Sequence, residues 1–206
     1  MNIKKIDEIV LGWNRIEQGI TGQDRKSCRK KTLRTSRQGR ELLKSLVFQE
    51  YAIALEDDDI GKGPMGKPYL LQYPHIHFNI SHSGDYVACA VGKEPLGLDI
   101  QIHLDRDCRR TARRIMNPAE WSAYEASGFQ NEYFYQCWTR KESYLKYTGE
   151  GITRDLRLLE EPETAHVQYI PLNLWPGYSA CLCLPKESSS TLRRTCCEVR
   201  VMLGMT

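Results

Sequence analysis

The stretch from His77 to Val91, HFNISHSGDYVACAV, decides how the rest of the chain is read. Apolar residues open it, a polar turn is predicted at Ser81 to Asp85, and Val87, Cys89 and Val91 then recur at every second position, the period of a strand. A strand, turn, strand unit follows. About ninety residues on, YSACLCL from Tyr178 repeats the aromatic start, the Ala-Cys pair and the apolar alternation of YVACAV from Tyr86. An internal duplication of one α/β lobe leaves such an echo.

Downstream, LGLDIQI from Leu96 to Ile102 is a second short strand. Its period of two sets Leu98, Ile100 and Ile102 on one face and Asp99 with Gln101 on the other, so two polar groups project together. Asn117, Pro118 and Glu120 form a helix start, with Asn117 as cap, Pro118 in the first helical position and Glu120 three residues beyond the cap. A loop at Ser127 to Glu132 leads into YFYQCWTRKESYLKYTGEG from Tyr133, where helical spacing gathers Tyr135, Trp138, Glu142, Leu145 and Lys146 into one sector and Gly149 is the stop. HVQYIPLNL from His166 and GYSACLCLP from Gly177 are strands, which makes the fold class α+β. The tail is predicted to be strand-like at CCEVRVML, from Cys196.

Upstream, GKGPMGKPYL from Gly61 is read as a loop, with Lys67 towards its end. Before it, Arg25, Lys26, Arg29, Lys30, Lys31, Arg34, Arg37 and Arg40 run into the helix-patterned ELLKSLVFQEYAI from Glu41. A solvated helix face and an anion site both account for that basic run.

A chain of 206 residues, 41% hydrophobic, can bury one large core or two small ones. The formal charge of +3 over 55 charged side chains is too mild to declare a nucleic-acid binder. No apolar run reaches about 18 residues, and MNIKKIDEIVLGW carries charges and no small-residue cleavage site, so a cytoplasmic protein with no membrane partner is expected. The eight cysteines are expected to be reduced thiols, with Cys89, Cys181 and Cys183 buried in strands. No C-x-x-C pair is present to argue for zinc.

Three groups of residues could carry chemistry: Asp99 and Gln101 on a strand, Glu142 and Lys146 on a helix, and the cluster Ser81, His82, Ser83. Taken singly, each has an ordinary structural reading, since a Glu four residues before a Lys is a common helix pair. No G-x-S-x-G elbow accompanies His82, whereas hydroxyls beside a histidine suit phosphate. A carboxylate-bearing strand, a Glu/Lys helix and dispersed phosphate donors together point to magnesium-assisted phosphoryl chemistry, because Mg²⁺ takes few carboxylates plus substrate phosphates. A nucleic-acid-binding or nuclease-like protein is the alternative from another class. Against it, Glu142 and Lys146 lie four apart on a helix, and no nucleic-acid motif appears.

In this order, FNISHSGDYVACAV, LGLDIQ and WTRKESYLKYTGEG resemble the three signature blocks of the phosphopantetheinyl transferases, and GKPYL resembles the family's Gly-Lys/Arg-Pro element. The similarity runs roughly from Cys28 to Gly151, with a weaker match at PGYSACLC, and is greatest to the surfactin-synthetase type. That resemblance implies a single-chain pseudodimer of two similar α/β lobes, 1–98 and 99–206, with the active site between them, and a monomer. It implies transfer of the phosphopantetheine arm of coenzyme A to a serine of an apo acyl or peptidyl carrier protein. It further implies that Asp99 and Glu142 bind Mg²⁺, or Mn²⁺ in its stead, with Gln101 at a third metal position, and that Asp99, Glu142 and Lys146 are catalytic. Arg40, Lys67, Ser81, His82 and Lys141 become contacts to coenzyme A, with Arg25 or Lys26 as further phosphate contacts. Gln101 departs from the glutamate usual in this type: an amide oxygen can ligate but adds no charge, so weaker metal binding with retained activity is expected. A coenzyme A binder without catalysis is the third reading. The arginines Arg106, Arg109, Arg110, Arg113 and Arg114 are either a solvated helix face or a surface for an acidic carrier.

Overall fold

The computed structural model describes residues 1–6, 8–16, 25–151, 155–159 and 164–186, with the backbone alone at 25–32. The strand expected at CCEVRVML and the side chains of Arg25 and Lys26 lie outside the described residues. The chain divides into two units, the first formed by Met1–Gly63 and Pro68–Glu94, the second by Pro64–Lys67 and the described residues from Pro95 to Lys186.

In the first unit, strands β1 (Asn2–Ile6), β2 (Ile9–Arg15), β5 (His77–Ser83) and β6 (Tyr86–Gly92) make an antiparallel sheet in the order β1-β2-β6-β5. Helix α1 (Arg25–Tyr51) lies on β2, β6 and β5 and buries Leu42, Leu43, Leu46 and Val47, the spacing by which a helix presents one apolar stripe. The predicted hairpin is present, but its turn is shorter than Ser81 to Asp85. Ser81, His82 and Ser83 stay in the ladder opposite Ala88, Val87 and Tyr86, because Gly84, at φ 56°, lets two residues reverse the chain. The expected loop at Gly61 to Leu70 contains a small hairpin of β3 (Ile60–Lys62) and β4 (Pro68–Leu70).

In the second unit, β7 (Gly97–Ile102), β8 (Val167–Pro171) and β9 (Tyr178–Pro185) form an antiparallel sheet in the order β7-β9-β8. Helix α4 (Asn131–Thr148) packs across β7 and β9 and ends at Gly149 in the left-handed conformation, as the sequence predicts. Helix α2 (Arg109–Ile115) and helix α3 (Pro118–Ala126) precede it, and α3 carries the expected capping box of Asn117 and Glu120. An aromatic core of Tyr124, Phe134, Tyr135 and Tyr144 fixes α4 on the sheet, with His103 stacked on Tyr135 at 5.1 Å. Cys89, Cys108, Cys137, Cys181 and Cys183 are buried free thiols. Among the described residues no helix is long and apolar enough to cross a membrane.

Candidate active site

Strand β7 and helix α4 meet where the strand has no side chain. A Cβ added at Gly97 would lie 1.9 Å from the Ser143 carbonyl oxygen and 2.4 Å from the Tyr147 nitrogen, so the face of β7 carrying residue 97 is the face under α4. By the period of two, Asp99 and Gln101 share that face, opposite Cys181 and Ser179 of β9. The helix residues next to Ser143 and Tyr147 are Glu142 and Lys146, and these come down beside Asp99.

Asp99, 6% exposed, accepts a 2.7 Å hydrogen bond at Oδ1 from Lys146 Nζ. Glu142 is half-buried, and its Oε1 is inaccessible to water with no hydrogen-bond partner among the described residues. Burial first, and then the neighbouring Asp99 charge, hold the Glu142 carboxyl above the ordinary range, while Lys146 pulls it partly back. Two carboxylates are thus held close together, with the Lys146 ammonium on Asp99 and a buried Glu142 oxygen left unsatisfied. A cation with oxygen preference fits that donor set. Among the described residues no three His, Cys, Asp or Glu side chains are grouped as metal ligands. Gln101, half-buried on the same face of β7, carries an amide and no charge.

The remaining candidates fall into two sets. In the first unit, Ser81 is buried and His82 exposed on β5, and Arg40 of α1 has its Nε 3.6 Å from Asp57 of the 3-10 turn Asp57–Asp59. In the second unit, two predicted coenzyme contacts hold α4 in place. Lys141, 2% exposed, donates to the Leu156 carbonyl at 2.8 Å and pairs with Glu120 Oε2 at 2.9 Å. Lys67 donates to the Tyr147 carbonyl at 2.8 Å and the Leu96 carbonyl at 3.4 Å, and its burial lowers its pKa. It thereby satisfies a terminal carbonyl of α4, the end at which a cation is favoured. The structure brings Asp99, Glu142 and Lys146 together and commits Lys141 elsewhere. Sequence reasoning gave Glu120 a capping role only and passed over Gly97.

Two sequence profiles cover nearly all of the described chain: residues 95–193 match the 4'-phosphopantetheinyl transferase superfamily, and residues 12–94 match the 4'-phosphopantetheinyl transferase N-terminal family. The chain is 31% identical over 187 residues to the 4'-phosphopantetheinyl transferase Sfp of Bacillus subtilis (strain 168), spanning 80% of this chain and 81% of that relative. The chain belongs to the 4'-phosphopantetheinyl transferase superfamily. This transferase is also 32% identical over 149 residues to a 4'-phosphopantetheinyl transferase of Bacillus subtilis, 69% of this chain and 66% of the relative. A mammalian relative, the L-aminoadipate-semialdehyde dehydrogenase-phosphopantetheinyl transferase of Pongo abelii, is 31% identical over 140 residues, 59% of this transferase and 44% of its own length.

Proposed function

We propose that Asp99, Glu142 and Lys146 are the reacting centre at which the transferase moves phosphopantetheine from coenzyme A to a carrier-protein serine. The observation that carries this reading is the pair of carboxylates under α4, one salt-bridged to Lys146 and the other with a buried oxygen left unsatisfied. Asp99 and Glu142 would hold Mg²⁺, or Mn²⁺, with the Gln101 amide as a neutral third donor. When bound, the ion supplies positive charge to the diphosphate of coenzyme A.

The serine oxygen of the carrier attacks the β-phosphorus, the new phosphorus–oxygen bond forms, and the bond to the 3',5'-ADP oxygen breaks. Glu142 accepts the serine proton, a role suited to a carboxylate whose pKa is raised by burial. Lys146, oriented by Asp99, faces the departing ADP with its ammonium and stabilises the charge that collects there. Arg40, Ser81 and His82 are retained as phosphate contacts on the strength of the family resemblance alone, while Lys67 and Lys141 keep α4 in place. Arg110 and Arg114, exposed at α2, receive the acidic surface of the carrier.

We further read the two units as copies of one motif. The strand, helix, strand, strand series β2-α1-β5-β6 has the sheet order β2-β6-β5, and β7-α4-β8-β9 has the order β7-β9-β8. The echoing sequences YVACAV and YSACLCL lie on the two central strands, β6 and β9, and a single chain so built is expected to act as a monomer.

The test is Glu142→Gln, scored for folding by circular dichroism and for turnover by formation of holo carrier. Turnover should fall by about 10²-fold or more. A folded variant with full turnover would remove Glu142 as the base.

A further inference from the structure

Resting on the assignment of Glu142 to the reacting centre, a second buried carboxylate outside that centre takes on a role. Glu120, 7% exposed, makes four contacts at once. Its backbone nitrogen donates to Asn117 Oδ1 at 2.7 Å, and its Oε2 accepts from the Asn117 nitrogen at 3.0 Å, closing the first turn of α3. The same Oε2 pairs with Lys141 Nζ at 2.9 Å, and Oε1 accepts from the Arg140 guanidinium. A cap needs only the first two of these. The other two reach across to consecutive residues of α4, immediately before Glu142.

Successive helix residues are turned by about 100°. With Arg140 and Lys141 both drawn to Glu120, the next residue, Glu142, points away from Glu120, and away from Glu120 is where Asp99 lies. The helix is therefore gripped on two opposite sides, by Glu120 through Arg140 and Lys141, and by Asp99 through Lys146. Beside the first grip the packing of α4 is incomplete. A cavity of about 510 Å³, bordered by Ala119, Glu120, Gln136, Cys137, Arg140 and Tyr169, runs along that flank of α4. A helix beside open space lacks the close-packed contacts that otherwise fix its rotation. The Leu156 carbonyl, which accepts from Lys141 at 2.8 Å, adds a second anchor on the same side.

We propose that Glu120 is a positioning residue of the transfer reaction: by holding Arg140 and Lys141 it sets the rotation of α4 that aims Glu142 at Asp99.

Three variants test this with purified transferase, coenzyme A and an apo acyl carrier protein: Glu120→Gln, the double variant Glu120→Gln with Lys141→Met, and Glu142→Gln as reference. For Glu120→Gln, kcat should fall about tenfold or more with KM for coenzyme A little changed. Mn²⁺ titrated without substrate should bind about tenfold or more weakly, as when a residue supporting a metal ligand is lost. The double variant removes both charges of the pair, which buried sites tolerate far better than one orphaned charge. It should therefore melt near the wild-type temperature yet keep the low kcat and the weak Mn²⁺ binding. If Glu120→Gln does not fold, the double variant decides. Wild-type kcat and Mn²⁺ affinity in either folded variant, with Glu142→Gln inactive, would reduce Glu120 to a structural ion pair and overturn the proposal. Full turnover of Glu142→Gln would instead remove the reading of the centre on which the proposal rests.

Discussion

Gly97→Ala should separate the two elements that build the site. The added methyl carbon would lie 1.9 Å from the Ser143 carbonyl oxygen, 2.4 Å from the Tyr147 nitrogen and 3.0 Å from its Cα. All three are backbone atoms of α4, so no side chain can swing aside. Relief requires about 1.5 Å of extra distance between helix and strand before contacts become ordinary. The hydrogen bond of Lys146 to Asp99, now 2.7 Å, then opens beyond hydrogen-bonding range. Overpacking of this kind costs about 1–3 kcal/mol, or roughly 2–12 °C in Tm for a chain of this size. A misplacement of about 1 Å at a reacting centre can cost about 10²-fold in turnover. Differential scanning fluorimetry and a holo-carrier assay read the two effects. Gly12→Ala is the internal control: its methyl would meet the Leu46 Cδ2 tip at 2.8 Å, a side chain that can shift, so a smaller loss is expected. Wild-type melting and turnover in Gly97→Ala would refute the close crossing of β7 and α4 as the basis of the site.

Burial and Asp99 raise the Glu142 pKa, so its ionised form weakens the folded state once pH rises above its unfolded value, and the penalty is complete above the folded one. Metal-free Glu142→Gln should therefore melt higher than wild type at neutral pH, with the difference vanishing in acid, in a pH series of thermal melts. Gln101→Glu adds a carboxylate on the Asp99 face of β7 and should tighten Mn²⁺ binding by about tenfold, measured by calorimetry. Reversing Arg110 and Arg114 to Glu should raise KM for the carrier severalfold while leaving KM for coenzyme A unchanged. Equal effects on both would assign those arginines elsewhere.

The elements that carry the site were legible because each is short and strongly patterned. Alternation in LGLDIQI put Asp99 and Gln101 on one face, and the 3.6-residue period put Glu142 beside Lys146, as β7 and α4 bear out. Asn117, Pro118 and Gly149 marked helix ends that are present. Strands β1 and β2 were not legible: lysines interrupt one and a glycine interrupts the other, and the partner that ties them into the sheet, β6 beside β2, is more than seventy residues away. The early start of α1 was left open because its first turns are basic and lack an apolar period, so that a solvated helix face and an anion site accounted for them equally. Lys141 and Glu120 show the deeper limit. A capping box is a local signal and fully explains Glu120 on its own, so nothing in the sequence announces that the same carboxylate also receives a lysine twenty-one positions later. Long-range pairing of buried charges leaves no spacing rule to read.

The most direct measurement is the intact mass of an apo carrier protein after incubation with this transferase, coenzyme A and Mg²⁺, with an EDTA control and with fatty-acid, polyketide and peptide-synthetase carriers in parallel. A gain of one phosphopantetheine group, lost with EDTA, is the result expected from carboxylates that hold a divalent ion at the diphosphate. An unchanged carrier mass despite coenzyme A binding would contradict it and leave a coenzyme A binder without catalysis, while a gain undiminished by EDTA would contradict the metal role of Asp99 and Glu142.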